Sequence, residues 1–113
     1  MPKPEYEFHL PHGDWVRAAG AAEGIWNQVL AEDEESGAYT GLVRYEPGAD
    51  SSPNGAATHS YWEEVYILQG ELTDLRLGQT FTQGMYACRP PGMMHGPWRS
   101  ETGALMLEIR YFR

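Results

Sequence analysis

The sequence predicts an all-β fold in which short strands close into a sandwich or barrel, and three observations carry that expectation. Runs of Tyr, Val, Ile, Leu and Thr are bounded by Gly or Pro, the punctuation of strands and hairpins. These runs follow one another at close spacing, the pattern of two-sheet and barrel architectures. The final run, "GALMLEIRYFR" (103–113), alternates: Leu105, Leu107, Ile109 and Tyr111 face one way, Met106, Glu108, Arg110 and Phe112 the other.

The remaining elements are read in order. "GIWNQVLAEDEESG" holds Ile25, Trp26, Val29 and Leu30 at helical spacing, yet Trp, Ile and Val also suit a strand. The acidic turn "EDEESG" leading into "AYTGLVRYEPG" (38–48) favours the strand, with Glu32 to Glu35 as a solvated hairpin turn. "EEVYILQGELTDLRLG" (63–78) and "FTQGMYACRPPG" (81–92) complete the set.

At 113 residues the chain predicts one domain spanning 1–113, burying about two-thirds of its unfolded surface. Its 42% hydrophobic content, with four Trp, seven Tyr and three Phe, is that of a globular protein rather than a disordered one. A net charge of -8, from 8 basic against 16 acidic residues, argues against nucleic acid as a partner. No stretch approaches a membrane span, and the N-terminal "MPKPEYEFHLPHGDW" lacks the apolar region of a secretory signal, so a cytoplasmic protein is expected. The lone Cys88 agrees with a reducing compartment and reads as a small buried residue.

Two stretches carry candidate chemistry. "THSYWEEVYILQGEL" places His59, three residues, Glu63, six residues and Gly70. "GMYACRPPGMMH" places Gly84, five residues, Pro90, one residue, Gly92, two residues and His95. Gly70 and Gly84 permit tight turns between strands, and Pro90 and Gly92 shape the turn before His95. His9 and His12, in "FHLPHG", sit in no such pattern and read as ordinary surface histidines. Glu64 competes with Glu63, but strand alternation sends the two to opposite faces and the distance to Gly70 favours Glu63.

These stretches resemble the two motifs of the cupin superfamily, over residues 55 to 99. The family's first motif is Gly, five residues, His-x-His, three or four residues, Glu, six residues, Gly; its second is Gly, five residues, Pro-x-Gly, two residues, His, three residues, Asn. The resemblance implies a jelly-roll barrel of six to eight strands with a divalent metal inside, held by His59, Glu63 and His95. This chain departs from the pattern at two positions: Ala57 stands where the first His would be and Arg99 where the final Asn would be. Two histidines and one carboxylate with open positions form the ligand set of non-haem Fe(II) oxygenases, although Zn, Mn, Ni and Co suit comparable donors.

The charge of such a centre narrows the ligand. A divalent ion with one carboxylate and two neutral imidazoles keeps about one positive charge, which favours an anionic oxygen donor such as an enolate, a carboxylate or a 1,3-dicarbonyl. Arg99, four residues beyond His95, is expected to clamp that anion, while Arg89 reads as a rim ion pair. Tyr61, Trp62, Met93 and Trp98, with Met94, flank the ligands and would wall a substrate pocket.

"EEVYILQGELTD" and "YACRPPGMMHGPW" are most similar to small single-domain cupins: anti-sigma-factor metal-binding domains and acetylacetone-cleaving dioxygenases. The likeness implies a metal-dependent enzyme cleaving a carbon–carbon bond of an enolisable oxygen substrate, or a non-oxidative lyase or isomerase using the metal as a Lewis acid. The alternative is a metal-binding sensor domain. The absence of a further domain or tail to transmit a signal favours the enzyme. A homodimer joined through edge strands is expected.

Overall fold

The computed structural model describes residues 2–17 and 22–112. It holds seven β-strands: β1 (Ile25–Glu32), β2 (Tyr39–Tyr45), β3 (Trp62–Asp74), β4 (Gln79–Thr82), β5 (Tyr86–Arg89), β6 (Trp98–Arg99) and β7 (Ala104–Tyr111). A single 3₁₀ turn, Ser52–Asn54, follows β2, and all the strand pairings are antiparallel. This is the all-β architecture that the strand and turn pattern predicts, in the jelly-roll form that the resemblance implies. No helix among the described residues is long and apolar enough to cross a membrane.

β3 organises the molecule because it belongs to both sheets. Its first half pairs with β7 on one side and β5 on the other; its second half pairs with β4 and β6. Beyond β7 the larger sheet continues through β2 to β1. The halves of β3 are joined by a bulge: Ile67 pairs with Met106 and Gln69 with Leu105, leaving Leu68 unpaired. Glu63, Val65 and Ile67 are buried before the bulge, Leu72 and Asp74 after it. The extra residue switches the alternation from odd to even positions, so both halves turn the same face inward.

Gly70 sits just past this bulge with φ +82°, and a Cβ there would lie 1.9 Å from the carbonyl oxygen of Gly103. Close backbone approach and left-handed geometry together require glycine at that point.

The hydrophobic core is small. Its larger members are Ile25, Val43, Tyr45, Val65, Ile67, Leu72 and Met106, with Phe81 and Trp98 packed against them. Each such side chain contributes about 1.5–3 kcal/mol when fully buried. The interior also holds polar groups: Glu63, Asp74, His95, Ser100 and Glu108 are all buried. On β7 the buried face is Ala104, Met106 and Glu108, while Leu105, Leu107 and Ile109 lie half-buried on the other. The terminal strand thus turns its more polar face inward.

β1 is a strand, closed onto β2 by the exposed hairpin turn that the acidic run predicts: Gly37 N–H donates to the Asp33 carbonyl, and Asp33 N–H to that of Ala38. Cys88 departs from expectation, since it is exposed. It alternates with Ala87 and Arg89, and those two face the interior cavities, so Cys88 faces out.

Candidate metal centre

The two sequence stretches are stitched together by backbone. Gly92 N–H donates to the carbonyl of His59 at 2.9 Å, tying the Pro90–Gly92 turn to the residues before β3. Ala57 and His95 exchange both backbone hydrogen bonds, Ala57 N–H to His95 at 2.8 Å and the reverse at 2.9 Å. These contacts bring His95 to His59 and Glu63, which lie far before it in the chain.

His59 Nε2 lies 3.8 Å from Glu63 Oε2, and His95 Nε2 lies 3.9 Å from Glu63 Oε1. One donor atom from each residue falls within 4.8 Å of the others. His59 is held by its neighbour Tyr61, whose ring stacks on the imidazole at 4.6 Å and 9°. Glu63 leads β3 with its side chain buried, while Glu64, on the opposite face, accepts a hydrogen bond from Tyr86.

These residues fit a divalent ion. His95 is buried, yet neither ring nitrogen has a hydrogen-bond partner in the protein. Orphaned buried nitrogens are uncommon, and coordination would satisfy one of them. Burial, with the Arg89 cation as a further contribution, pushes the His95 imidazole down to about 4. The ring is therefore held neutral, the state that binds metal.

The triad opens onto a cavity of about 290 Å³. Arg89 and Arg110 both line it. Arg89 Nη1 donates to Glu63 Oε1 at 2.6 Å, and its guanidinium lies 5.1 Å from the Trp98 ring centroid. Arg110 is packed over the rings of Tyr39 and Tyr61, at 4.5 and 5.1 Å. Its Nε donates to Glu108 Oε1 at 2.6 Å, and the Tyr39 hydroxyl donates to the same oxygen at 2.6 Å. Burial raises the Glu108 carboxyl above its ordinary range against the pull of Arg110. Burial likewise pushes the phenols of Tyr45 and Tyr61 up to about 12.

The residues expected to wall a substrate pocket separate in the structure. Trp98 lines the cavity, with its ring 6.2 Å from that of His95. Tyr61 covers His59. Met93 lines an adjoining chamber rather than this one. Trp62 alternates away from Glu63 and stacks on Tyr111 at 6.3 Å.

Arg99 does not line the cavity. Its backbone pairs with Thr73 and Asp50, and its charge helps hold the Asp50 carboxyl low, after the hydrogen bonds from Ser52. The expectation assumed a strand running on from His95, but Gly96 and Pro97 intervene before β6 and the alternation does not carry through. Arg89, expected at a rim, is paired inside the barrel. Arg110 and Glu108 escaped the sequence reading as site residues, although their shared face with Met106 was the available signal.

Residues 8–110 match the family described as the ChrR cupin-like domain. The chain belongs to that family. Structural relatives of this ChrR-like cupin agree on the fold. An RmlC-like cupin from Shewanella frigidimarina NCIMB 400 has a TM-score of 0.72 at 19% identity, covering 97% of this chain and 93% of that one. The acetylacetone dioxygenase from Acinetobacter johnsonii has a TM-score of 0.72 at 16% identity, covering 95% and 75%. The polyketide cyclase RemF from Streptomyces resistomycificus has a TM-score of 0.72 at 19% identity, covering 95% and 79%. At such identities the likeness speaks for the fold alone. No curated protein sequence matches this cupin.

Proposed function

We propose that this cupin is a divalent-metal enzyme acting on a small, enolisable oxygen compound, with oxidative carbon–carbon cleavage as its reaction class. The observation that carries the reading is the opening of His59, Glu63 and His95 onto a cavity that two arginines also line. The names of two structural relatives, the acetylacetone dioxygenase and the polyketide cyclase, support a small oxygenated substrate. When bound, a divalent ion would act as a Lewis acid towards an enolate or carboxylate oxygen and, as Fe(II), would supply the redox chemistry that O2 requires.

The chain's own residues do the rest. Arg89 and Arg110 attract the anionic oxygens, and Trp98 and Met106 keep water from the cavity wall. Because Tyr39 and Arg110 both donate to Glu108 Oε1, a proton held by that carboxyl sits on Oε2. The substrate is a small anionic or dicarbonyl-like molecule. In this reading the protein is cytoplasmic and works as a homodimer joined along sheet edges.

A specific observation favours a second reading, a ligand-binding cupin without catalysis. The Arg89 guanidinium already satisfies the Glu63 carboxylate at 2.6 Å, as a resident cation would. Anaerobic loading with Fe(II), followed by O2 and a panel of 1,3-diketones and 2-hydroxy ketones, separates the two. Oxygen uptake with cleaved products supports the enzyme. Tight binding of a panel member, with no uptake and no conversion by the Fe(II), Zn(II), Mn(II), Ni(II) or Co(II) forms, supports the binding domain.

A further inference from the structure

A second cavity, of about 320 Å³, adjoins the first and shares six wall residues with it: Val65, Leu72, Arg89, His95, Trp98 and Met106. Its own wall is mostly apolar, with Ile67, Phe81, Met85, Ala87, Met93 and Met94 beside the polar Asp74, Arg76 and Tyr86. The volume is in the range of small-molecule sites, about 300–1,000 Å³.

Each polar side chain of that wall makes at least one hydrogen bond within the protein, Tyr86 donating to the Glu64 carboxylate. The Asp74 carboxylate accepts backbone N–H bonds from Arg76, Leu77 and Gly96, and Arg76 Nη2 donates to the Met94 carbonyl at 3.2 Å. The shared wall is different, because both ring nitrogens of His95 lack a protein partner. A molecule filling this chamber meets mostly apolar surface, with Arg76 and Tyr86 also on its own wall and Arg89 and His95 on the wall shared with the metal centre.

The chamber is open to solvent through apolar residues. Leu77, Met85, Met93 and Met94 are 53%, 46%, 48% and 52% exposed, where ordinary core side chains would be covered. Methionines repack readily around varied shapes, which suits a site that accepts a flexible chain.

We infer that this chamber receives the apolar tail, an alkyl chain or aromatic ring, of the same molecule whose oxygen-bearing head sits at His59, Glu63 and His95. The inference rests on the head-group site proposed above, and it narrows the substrate from any small anionic or dicarbonyl-like molecule to an amphipathic one.

The test uses the Zn(II)-loaded protein, with metal content measured directly, and straight-chain 2-oxo acids of increasing length followed by calorimetry. Affinity is expected to rise about threefold to fourfold for each methylene until the chamber is full. Ala87→Phe, which fills the wall beside Val65, should flatten the series and leave the shortest acid unaffected. Met93→Gln, a milder change at the mouth, should weaken only the longer acids.

Binding of the shortest acid with no gain on lengthening overturns the tail site and leaves the head-group reading standing. Failure of every acid to bind a fully metallated protein overturns both. Failure to hold Zn(II) identifies the metal centre as the fault and removes the tail site with it. A dimer in sedimentation that Met94→Asp splits shows that a second copy covers the mouth, which also overturns the inference.

Discussion

Arg89 Nη1 donates a 2.6 Å hydrogen bond to Oε1 of Glu63, the one carboxylate of the candidate metal triad. Both side chains are largely shielded, 12% and 5% exposed, so the pair feels little screening from solvent. The arginine therefore competes with a divalent ion for the carboxylate while adding positive charge for an incoming anion. Arg89→Met should tighten Zn(II) binding by about tenfold or more, because lost competition and repulsion outweigh lost orientation of Glu63. The same variant should bind 2-oxo acids more weakly. Competition titrations with a chromogenic chelator measure the first effect and calorimetry the second; unchanged metal affinity would refute the competition.

Removal of a ligand should abolish metal binding without unfolding the barrel. The core of Ile25, Val43, Val65, Ile67, Leu72 and Met106 lies outside the triad. His59→Ala and His95→Ala should each lose most bound metal, by elemental analysis, and keep the strand circular dichroism of the parent. His95→Ala protein that retained one metal per chain would eliminate His95 as a ligand.

Ala57→His should restore a fourth protein ligand. Residues 57 and 95 exchange both backbone hydrogen bonds across an antiparallel bridge, so their side chains project on the same side. Ala57 also lines the cavity. Zn(II) affinity should rise about tenfold or more, while binding of a bidentate anion weakens because a position it would use is taken.

Stability of the metal-free protein should fall as pH drops from about 6.5 towards 4. Burial holds the folded His95 imidazole at about 4, below its ordinary 6.5. The unfolded chain therefore takes up the proton first, and the folded state loses ground until it too is protonated. Above pH 6.5 this contribution is constant. Urea midpoints compared with those of His95→Gln, which does not titrate, isolate the effect; parallel pH profiles for the two proteins would show that His95 contributes none of it.

Glu108→Ala should destabilise the protein by about 2–3 kcal/mol, short of the ~3–5 kcal/mol for breaking a fully buried pair because Arg110 remains 32% exposed. The substitution strands both the guanidinium and the Tyr39 hydroxyl. Tyr39→Phe, which removes a single neutral donor, should cost about 1 kcal/mol. Equal losses in denaturant titrations would mean that the charge pair carries no extra weight.

The strand order along the chain, and the separation of Glu63 from Glu64, are legible in the sequence because alternation and turn residues act over a few positions. The grouping of His59, Glu63 and His95 is legible only through the resemblance, since it depends on a turn and a bridge joining residues 59 to 92 and 57 to 95. The cavity wall is harder. Arg110 sits opposite Glu63 in the register of β3 and β7, a relation between residues 47 positions apart that no local pattern displays. On β7 both faces contain apolar residues, so alternation defines the faces without saying which is inside. Parity counted from His95 to Arg99 fails because Gly96 and Pro97 intervene, where no strand exists to carry it.

The unpaired Leu68 makes the stretch from Glu63 to Gly70 a gauge of fixed length. Deleting Leu68 would restore plain alternation, with Leu72 and Asp74 still inward, but would straighten the strand at the point where its pairing passes from one sheet to the other. Inserting one would push Gly70 off its contact with Gly103 and put a side chain where there is room only for hydrogen. Side chains along this strand can change one at a time, but a change of its length alters either the bend between the sheets or the Gly70 contact. Insertions and deletions in descendants of this gene should therefore collect in the turns between strands and spare the interval from residue 63 to residue 70.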